Sequence, residues 1–221
     1  LVLRRDGYSK LPKDNRWGTF PGISAGWVLS RENFMESCSN VLSYAKIRAS
    51  YGANGNVSGV LDANGNVVTG LDYYTVQGSY GIMKDKDGKI VPNYNGKVPL
   101  MINDLPNPTM RWEKSYTFET GFDIGFLNNK YILNFTYYNR HTQDKFAEIT
   151  LPSHSGVSSF LSNNGEVQNQ GMELELTANV LRTKDWKFTV SMNTAYNKNK
   201  IISLPYNGLP NNMQDLSLIH I

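Results

Sequence analysis

The feature that most constrains the fold is a strict alternation of apolar and polar residues between positions 116 and 126. Apart from Thr120, the even positions are aromatic or aliphatic, whereas the odd positions are Thr, Glu, Gly or Asp. An α-helix cannot separate odd from even positions, but a β-strand places them on opposite faces. The stretch is therefore predicted to be a strand with one apolar and one polar face.

The same alternation recurs along the chain and predicts about seven strands. It is clearest over residues 23–29, 45–51, 131–137, 172–180 and 186–196. The connections fall into short turns at 128–130 and 182–185, a moderate one at 31–41, and long loops at 53–111 and 146–169. Short turns at one end and long loops at the other are typical of an antiparallel up-and-down β-barrel in an outer membrane. Several strands also run to about 12–16 residues, whereas spanning a bilayer needs about 9–11.

The two faces of these strands predict two different surroundings. The polar face is too rich in charge for a buried core, so we expect it to line an aqueous or plugged lumen, while the apolar face meets lipid. The residues expected to face the lumen or a plug are Lys46, Arg48, Glu119, Asp123, Glu173 and Glu175. Those expected to face lipid are Phe118, Phe122, Ile124, Leu133, Phe135, Leu174, Leu176, Phe188 and Val190. Aromatic residues near the strand ends, expected to form interfacial girdles, are Trp27, Tyr51, Trp112, Phe126, Tyr131, Trp186 and Tyr196.

Composition excludes several other classes of protein. No run of about 18 apolar residues exists, so no transmembrane helix is predicted, and the mean hydropathy is −0.42. The net charge of +3 comes without a basic stripe, which argues against nucleic-acid binding. Cys38 is the only cysteine, which excludes an internal disulfide and a cysteine-based metal cluster. No cofactor is predicted.

The opening Leu1-Val2-Leu3 is interpreted as the end of a strand, so the sequence is expected to begin within a longer protein. The tail, residues 216–221, is interpreted as truncated or foreign sequence. About seven strands cannot enclose a wide lumen, and their outer edges would stay unpaired. We therefore expect an open piece of barrel wall whose remaining strands are missing, and we expect that it does not fold alone in water.

Candidate catalytic and metal-binding patterns are weak. Asp85 and Asp87 before Gly88 resemble the start of a calcium loop but lack the later ligands, so a hairpin turn is the better interpretation. His141, His154 and His220 have no metal-ligand spacing. A triad of Ser153, His154 and Asp144 lacks a nucleophile elbow, and alternation toward a wet lumen explains Glu173 and Glu175 more simply than paired catalytic carboxylates do. No enzyme activity is predicted.

The long 53–111 loop is the candidate ligand-binding region. Residues 62–68 and 85–91 resemble each other, and each is predicted to form a small hairpin. Tyr73, Tyr74, Tyr80 and Tyr94 could stack on sugar rings or peptide groups of a ligand. They could equally pack the loop against itself, and the sequence does not decide between these alternatives.

Short motifs in a fixed order carry a resemblance to a known family. They are Arg4-Arg5-Asp6-Gly7, Asn15-Arg16-Trp17-Gly18-Thr19-Phe20-Pro21, Ser24-Ala25-Gly26-Trp27, Lys46-Ile47-Arg48-Ala49-Ser50-Tyr51-Gly52, Asn54-Gly55-Asn56, Pro106-Asn107-Pro108, Arg111-Trp112-Glu113, Gly121-Phe122-Asp123-Ile124-Gly125-Phe126, Tyr137-Tyr138-Asn139, Thr142, Asp144, Asn163, Gly165, Asn169, Gly171, Glu173, Asn193 and Ala195-Tyr196-Asn197-Lys198-Asn199. With these motifs the chain resembles the SusC/RagA family of TonB-linked outer-membrane transporters of Bacteroidota. Ala45 stands where the family pattern would have Leu, which is a mild departure on the apolar face.

The resemblance implies a fold, a location and partners. Residues 1–221 would be part of the C-terminal half of a barrel of about 22 strands, without the N-terminal plug, the TonB-contacting segment and the remaining strands. It implies import of oligosaccharides or peptides across the cell outer membrane, powered by TonB, with a SusD-like surface lipoprotein as a lid. The alternative from the residues alone is a soluble β-sandwich, such as a carbohydrate-binding module, with its apolar faces buried against a second sheet.

Overall fold

The computed structural model is built around one antiparallel sheet of seven strands, and it describes residues 1–61, 67–69, 71, 73–91, 95, 97–157 and 159–204. The seven strands are β1 (Val2–Gly7), β2 (Trp17–Val28), β3 (Leu42–Asn56), β8 (Glu113–Phe126), β9 (Tyr131–Thr150), β10 (Ser159–Arg182) and β11 (Lys187–Ser203). Each pairs with its neighbour along the chain, except that β3 pairs with β8 across the long insertion. The prediction of an all-β, up-and-down sheet is confirmed, and β1 and β11 are the two edges of an open wall.

The insertion between β3 and β8 carries small elements of its own. β4 (Val60–Leu61) pairs with β5 (Val67–Thr69), α1 spans Tyr73–Gln77, and β6 (Ser79–Ile82) pairs with β7 (Leu100–Asp104). The first predicted hairpin therefore has paired arms, although its turn, residues 62–66, lies outside the described residues. The second, at 85–91, is a tight turn: the Asp85 amide donates to the Lys89 carbonyl at 2.8 Å, and Gly88 has φ 77°.

The predicted alternation of short and long connections is only partly present. At one end of the sheet, which we name the turn end, lie the connections 29–41, 127–130 and 183–186; at the other, the loop end, lie 8–16, 57–112 and 151–158. Two turn-end connections are short and the 57–112 insertion is long, but 29–41 at the turn end is longer than two of the loop-end connections. The prediction of a long loop at 146–169 is wrong. β9 and β10 continue through most of it as a paired ribbon, from Ser159 opposite Thr150 to Gly165 opposite Lys145, with register irregularities on both sides of Gly165. The sequence hides this because Ser, Asn and Gly interrupt the alternation there.

No second large sheet covers the seven strands in the part of the chain that the structure describes. Each long strand packs against its sheet neighbours, and the 3₁₀ turn Leu29–Arg31 folds against β3. A β-sandwich would need a second sheet about 10 Å away over that face, so the sandwich alternative is wrong. Among the described residues, no helix is long and apolar enough to cross a membrane.

Candidate functional site

The six charged residues predicted to share one face do share it. The register places Lys46 opposite Asp123, Ser50 opposite Glu119, and Thr136 opposite both Gly121 and Glu173. Directly opposed residues of antiparallel strands point to the same side of the sheet. We name this side the polar face: it is the side that carries Lys46, Arg48, Glu119, Asp123, Glu173 and Glu175.

Arg48 is the centre of the polar face. Its guanidinium donates to Glu119 Oε1 at 3.0 Å and to Thr136 Oγ1 at 2.5 Å, and it lies 3.5 Å from Asp123 Oδ1. These contacts join β3, β8 and β9. Gly121 lies directly opposite Arg48 in the register, and a side chain there would meet the Phe135 carbonyl and approach the guanidinium to 3.3 Å. The glycine therefore leaves the space in which Arg48 reaches across two strands.

The acidic residues of β10 are more exposed. Glu175 accepts a hydrogen bond from Asn134 Nδ2 at 3.2 Å, and both Glu173 and Glu175 are exposed. They stand beside a row of β11 that is mostly Ser, Ala and Asn, with Asn193 opposite Glu175 and Ala195 opposite Glu173. This part of the polar face can accept hydrogen bonds and attract cations from whatever lies over it.

The opposite side of the sheet is apolar, as the alternation predicts. We name it the apolar face, and a bulge between Asn179 and Leu181 interrupts the β10–β11 register beside its last member; the face carries Phe118, Phe122, Ile124, Leu133, Phe135, Leu174, Leu176, Val190 and Phe188. The Phe122 and Phe135 rings stack across the β8–β9 pair with centroids 5.1 Å apart. Phe118, Phe188 and Val190 are 43%, 56% and 46% exposed, and the other six are half-buried by their neighbours within the sheet. So much bare apolar surface requires an apolar partner.

Aromatic residues flank the apolar face at both ends, except for one predicted member. Trp27, Phe126 and Tyr131 lie at the turn end, with Trp186 in the adjoining turn, and Tyr51 and Tyr196 lie toward the loop end. Trp112 does not belong with them. It is only 7% exposed, its ring packs edge-on against Phe20 at 5.4 Å, and its Nε1–H donates to the Arg16 carbonyl at 3.1 Å.

Trp112 belongs instead to a buried cluster at the loop end, which we name the loop-end core. Its members are Leu11, Phe20, Leu71, Met110, Trp112, Phe146 and Leu161. They come from the 8–16 connection, β2, the long insertion, β9 and β10, so the cluster packs two of the loop-end connections against the loop-end part of the sheet. Sequence analysis missed it. The available signal was Phe20, an aromatic residue at a polar-face position between Gly18 and Gly22.

Buried amides hold the returning segment 106–113 on this core. Asn107 Nδ2 donates to the Leu161 carbonyl at 2.8 Å. Asn163 is bonded on both sides: its Oδ1 accepts from the Arg111 amide at 2.9 Å, and its Nδ2 donates to the Arg111 and Asp144 carbonyls at 2.9 and 2.7 Å. Both asparagines are about 5% exposed. Because a buried amide left without partners costs about 1–3 kcal/mol, these bonds fix where the long loop rejoins the sheet.

Charged groups complete the same attachment. Glu113 is 3% exposed; its carboxylate accepts from the Phe146 amide at 2.7 Å and from Asn56 Nδ2 at 2.8 Å, with Lys145 Nζ at 3.9 Å. Arg111 pairs with Asp144 at 2.6 Å. The hydrogen bond to Asp144 raises the pKa of the Arg111 guanidinium above its ordinary value, against the opposing effect of partial burial. The guanidinium is charged at any physiological pH, so the pair keeps its positive partner throughout that range.

Gly55 tests how tightly the loop-end core is packed. A Cβ at Gly55 would collide with the Phe20 ring, whereas a Cβ at Gly22, on the neighbouring strand β2, would lie 3.9 Å from the nearest atom, the Gly52 Cα. We expect Gly55→Ala to lower the free energy of unfolding by about 1–3 kcal/mol through overpacking, and Gly22→Ala to be neutral or slightly stabilising. Guanidinium titration of the barrel containing both strands measures this. Equal effects at the two glycines would contradict the packing.

The other sequence candidates do not converge on a site. Tyr74 and Tyr80 are 60% and 74% exposed; Tyr73 lies in α1, and Tyr94 lies outside the described residues. His141 pairs with Glu166 at 2.7 Å, His154 is exposed in the 151–158 connection, and His220 lies outside the described residues. The Asp85 carboxylate caps its own turn by accepting from the Asp87 and Lys89 amides. Within the described residues, no group of three potential metal ligands is found.

Comparisons with known proteins identify a family. The family model described as TonB dependent receptor-like, beta-barrel matches residues 3–217. The chain is 33% identical over 205 residues to TonB-dependent receptor P3 of Formosa agariphila and 32% identical to TonB-dependent receptor SusC of Bacteroides thetaiotaomicron, covering 93% and 92% of this chain and 19% of each relative. It superposes on the structure of the RagAB peptide transporter with a TM-score of 0.74 and 26% identity, covering 93% of this chain and 20% of that chain. The chain thus spans about a fifth of the length of these relatives.

Proposed function

Since this chain belongs to the TonB dependent receptor-like β-barrel family and is of the SusC/RagA type, we propose that it forms part of the wall and loops of a transporter that imports oligosaccharides or peptides with energy delivered through TonB. Proteins of this type lie in the outer membrane. The rest of such a protein supplies the plug domain, the TonB-contacting segment and the strands that close the barrel. The family is one of receptors and transporters, and the proposal includes no catalytic role.

The observation that carries the proposal is a single sheet with two unlike faces and long strands. β8, β9 and β10 have 14, 20 and 24 residues, whereas crossing a bilayer takes about 9–11. The surplus lies at the loop end, where a folded core holds the connections in place. A wall that meets lipid on one side, water on the other and ligand at one rim needs these features together.

In this proposal the apolar face meets lipid and the polar face lines the lumen. Arg48 with its two carboxylate partners would stiffen the lumen side at β3, β8 and β9. The exposed Glu173 and Glu175 would remain available to cationic groups of the plug. The SusC and RagAB relatives support a surface lipoprotein of SusD or RagB type as the lid over the loop end.

The long insertion would contact the ligand. Tyr74 and Tyr80 expose their rings to solvent, and aromatic rings bind the apolar faces of sugars and the side chains of peptides. Tyr73 and Tyr94 remain candidates from sequence. The names of the two relatives do not decide the substrate, because RagAB is called a peptide transporter whereas the name SusC states no substrate. The choice between glycan and peptide is therefore a matter for measurement.

Uptake by living cells tests the function. Cells with the complete receptor and its lid lipoprotein are expected to accumulate either labelled oligosaccharides or labelled peptides, and cells with the gene deleted are not. A protonophore should abolish accumulation without abolishing surface binding, because TonB draws on the inner-membrane proton gradient. If deleting the gene changed the uptake of neither the labelled oligosaccharides nor the labelled peptides, the proposal would be refuted.

A Tyr74→Ala/Tyr80→Ala receptor tests the ligand contact. We expect weaker binding of the imported ligand by roughly tenfold, since stacking on an aromatic ring contributes about 0.5–1.5 kcal/mol for each ring. Isothermal titration with the purified receptor measures it. Trp186→Ala removes an equally exposed aromatic residue at the opposite end of the sheet and should leave binding unchanged.

A further inference from the structure

The outer side of the sheet changes character toward the loop end. In β11 the apolar-face positions read Val190, Met192, Thr194 and Tyr196, and the next two on the same side are Lys198 and Lys200. In β8 the positions beyond Phe118 are Tyr116 and Lys114. The order from the centre of the face to its rim is therefore aliphatic, aromatic and then cationic. We name Lys114, Lys198 and Lys200 the cationic strip.

The register places the strip in one zone of the sheet. Tyr116, His141, Gln168 and Lys200 form one cross-strand row. Lys114 lies one position further toward the rim on its side of β8, opposite Gln143, and Lys198 lies one position back on β11, opposite Gln170. Three strand spacings separate β8 from β11, which is about 14 Å. On β1, Arg5 extends the same side with its guanidinium over the Trp17 ring at 5.3 Å.

Nearby carboxylates do not neutralise the strip. Asp144 pairs with Arg111 at 2.6 Å, and Glu166 contacts His141 at 2.7 Å, which is an ion pair when the imidazole is protonated. Among the described residues, Lys114, Lys198 and Lys200 have no carboxylate within 4.0 Å. Lys198 and Lys200 are exposed, and Lys114 is half-buried.

A groove lies on the same side between β3, β8 and β9. It has a volume of about 390 Å³ and is lined by Tyr51, Tyr116, Phe118, Asn139, His141 and Gln143. Tyr51, Phe118 and Asn139 lie in one cross-strand row at its apolar-face end, Tyr116 and His141 lie in the next row, and Gln143 lies nearest the rim, opposite Lys114. The groove thus runs from apolar to polar in the same direction as the strip.

We propose that this groove and the cationic strip bind an anionic membrane lipid at the loop-end rim of the wall. The acyl chains lie on Phe118 and the apolar face below it, the headgroup lies against the polar part of the groove, and the charges of Lys114, Lys198 and Lys200 attract its phosphate. The positive strip complements the negative phosphate, and each basic residue near a membrane surface raises the affinity for anionic lipid by about fivefold. The inference rests on the proposed orientation of the apolar face toward lipid.

Native mass spectrometry of the complete receptor in mixed micelles of phosphatidylglycerol and phosphatidylcholine tests the inference. The wild type is expected to retain phosphatidylglycerol in preference to phosphatidylcholine, with less retained as salt is raised. Lys114→Gln/Lys198→Gln/Lys200→Gln should weaken phosphatidylglycerol binding by on the order of a hundredfold, as about fivefold for each of three residues. The matched control, Lys84→Gln/Lys86→Gln/Lys89→Gln, removes the same charge from an exposed hairpin of the loop and should retain the wild-type amount.

Three outcomes would overturn the inference. They are equal retention of the two lipids by the wild type, equal losses in the strip and hairpin variants, and displacement of the lipid by millimolar inorganic phosphate. A spin label at position 190 of the apolar face separates this failure from failure of the proposed function. If the label contacts lipid but the receptor shows no preference for phosphatidylglycerol, only the cationic strip is rejected. If the label is in water, the proposed orientation of the wall is rejected as well.

Discussion

Replacing Trp112 by Ala is expected to lower the free energy of unfolding of the complete barrel by about 3–5 kcal/mol, the range for deleting a large buried aromatic side chain. The indole is 7% exposed, packs edge-on against Phe20 and Tyr8, and donates to the Arg16 carbonyl. Its removal leaves a cavity where the insertion rejoins the sheet, and the Arg16 carbonyl loses its donor. Guanidinium titration of the receptor refolded in detergent micelles measures the change.

Two control variants separate the effect of burial from the effect of the hydrogen bond. Trp112→Phe keeps much of the packing and loses the hydrogen bond, so about 1–2 kcal/mol is expected. Trp186→Ala removes the same side chain from a turn where it is 75% exposed, and in detergent it should cost less than about 1 kcal/mol. If Trp112→Ala were as mild as Trp186→Ala, the loop-end core would contribute little to the fold, and its role in placing the loop would be lost.

Leu174→Arg is expected to lower the stability of the barrel in lipid vesicles by about 2–4 kcal/mol, the cost of a charged side chain at the midplane of a lipid-facing strand. Leu174 lies between Phe135 on β9 and Thr194 on β11, near the middle of the apolar face. The cost arises because no water reaches a guanidinium at that depth. A refolding titration into vesicles measures it.

Glu175→Lys is the matched control, because the neighbouring residue points to the polar face. Glu175 is exposed and accepts one long hydrogen bond from Asn134, so reversing its charge should cost less than about 1 kcal/mol. Equal costs for the two variants would contradict the assignment of lipid to the apolar face. The assignment would also be contradicted if Leu174→Arg cost no more stability in vesicles than Tyr80→Arg, a substitution at an exposed position of the loop.

The sheet could be read from the sequence because its main determinant is local. Side chains alternate between faces with a period of two, so Phe118, Phe122 and Ile124 had to share a side as soon as the stretch was a strand. The turn at 127–130 was equally readable: Asn128 and Asn129 take positive φ, which Asn tolerates better than most residues. Arg48 could be placed on the polar face, but its three partners on β8 and β9 could not be named before the register was known.

The loop-end core could not be read in this way. Leu11 and Leu161 are 150 residues apart in the sequence, and neither lies in an alternating stretch that marks it as buried. Trp112 was placed in the girdle because it stands beside a strand end, where interfacial tryptophans also stand. The Ser, Asn and Gly residues in the ribbon formed by β9 and β10 beyond Ala147 favour turns locally, so the sequence predicts a loop there, but pairing with the neighbouring strand overrides that preference.

The sequence by itself determined the number of strands, their two unlike faces and their up-and-down order, since all three follow from residue spacing and connection length. Only the tertiary structure decided the register, which joins Arg48 to Glu119, Asp123 and Thr136, and the packing that buries Trp112 and Glu113 where the long insertion rejoins the sheet. It also brought Lys114, Lys198 and Lys200 to one rim. The physical reason is that alternation is a property of one strand, whereas register and burial are free energies shared among residues far apart in the chain.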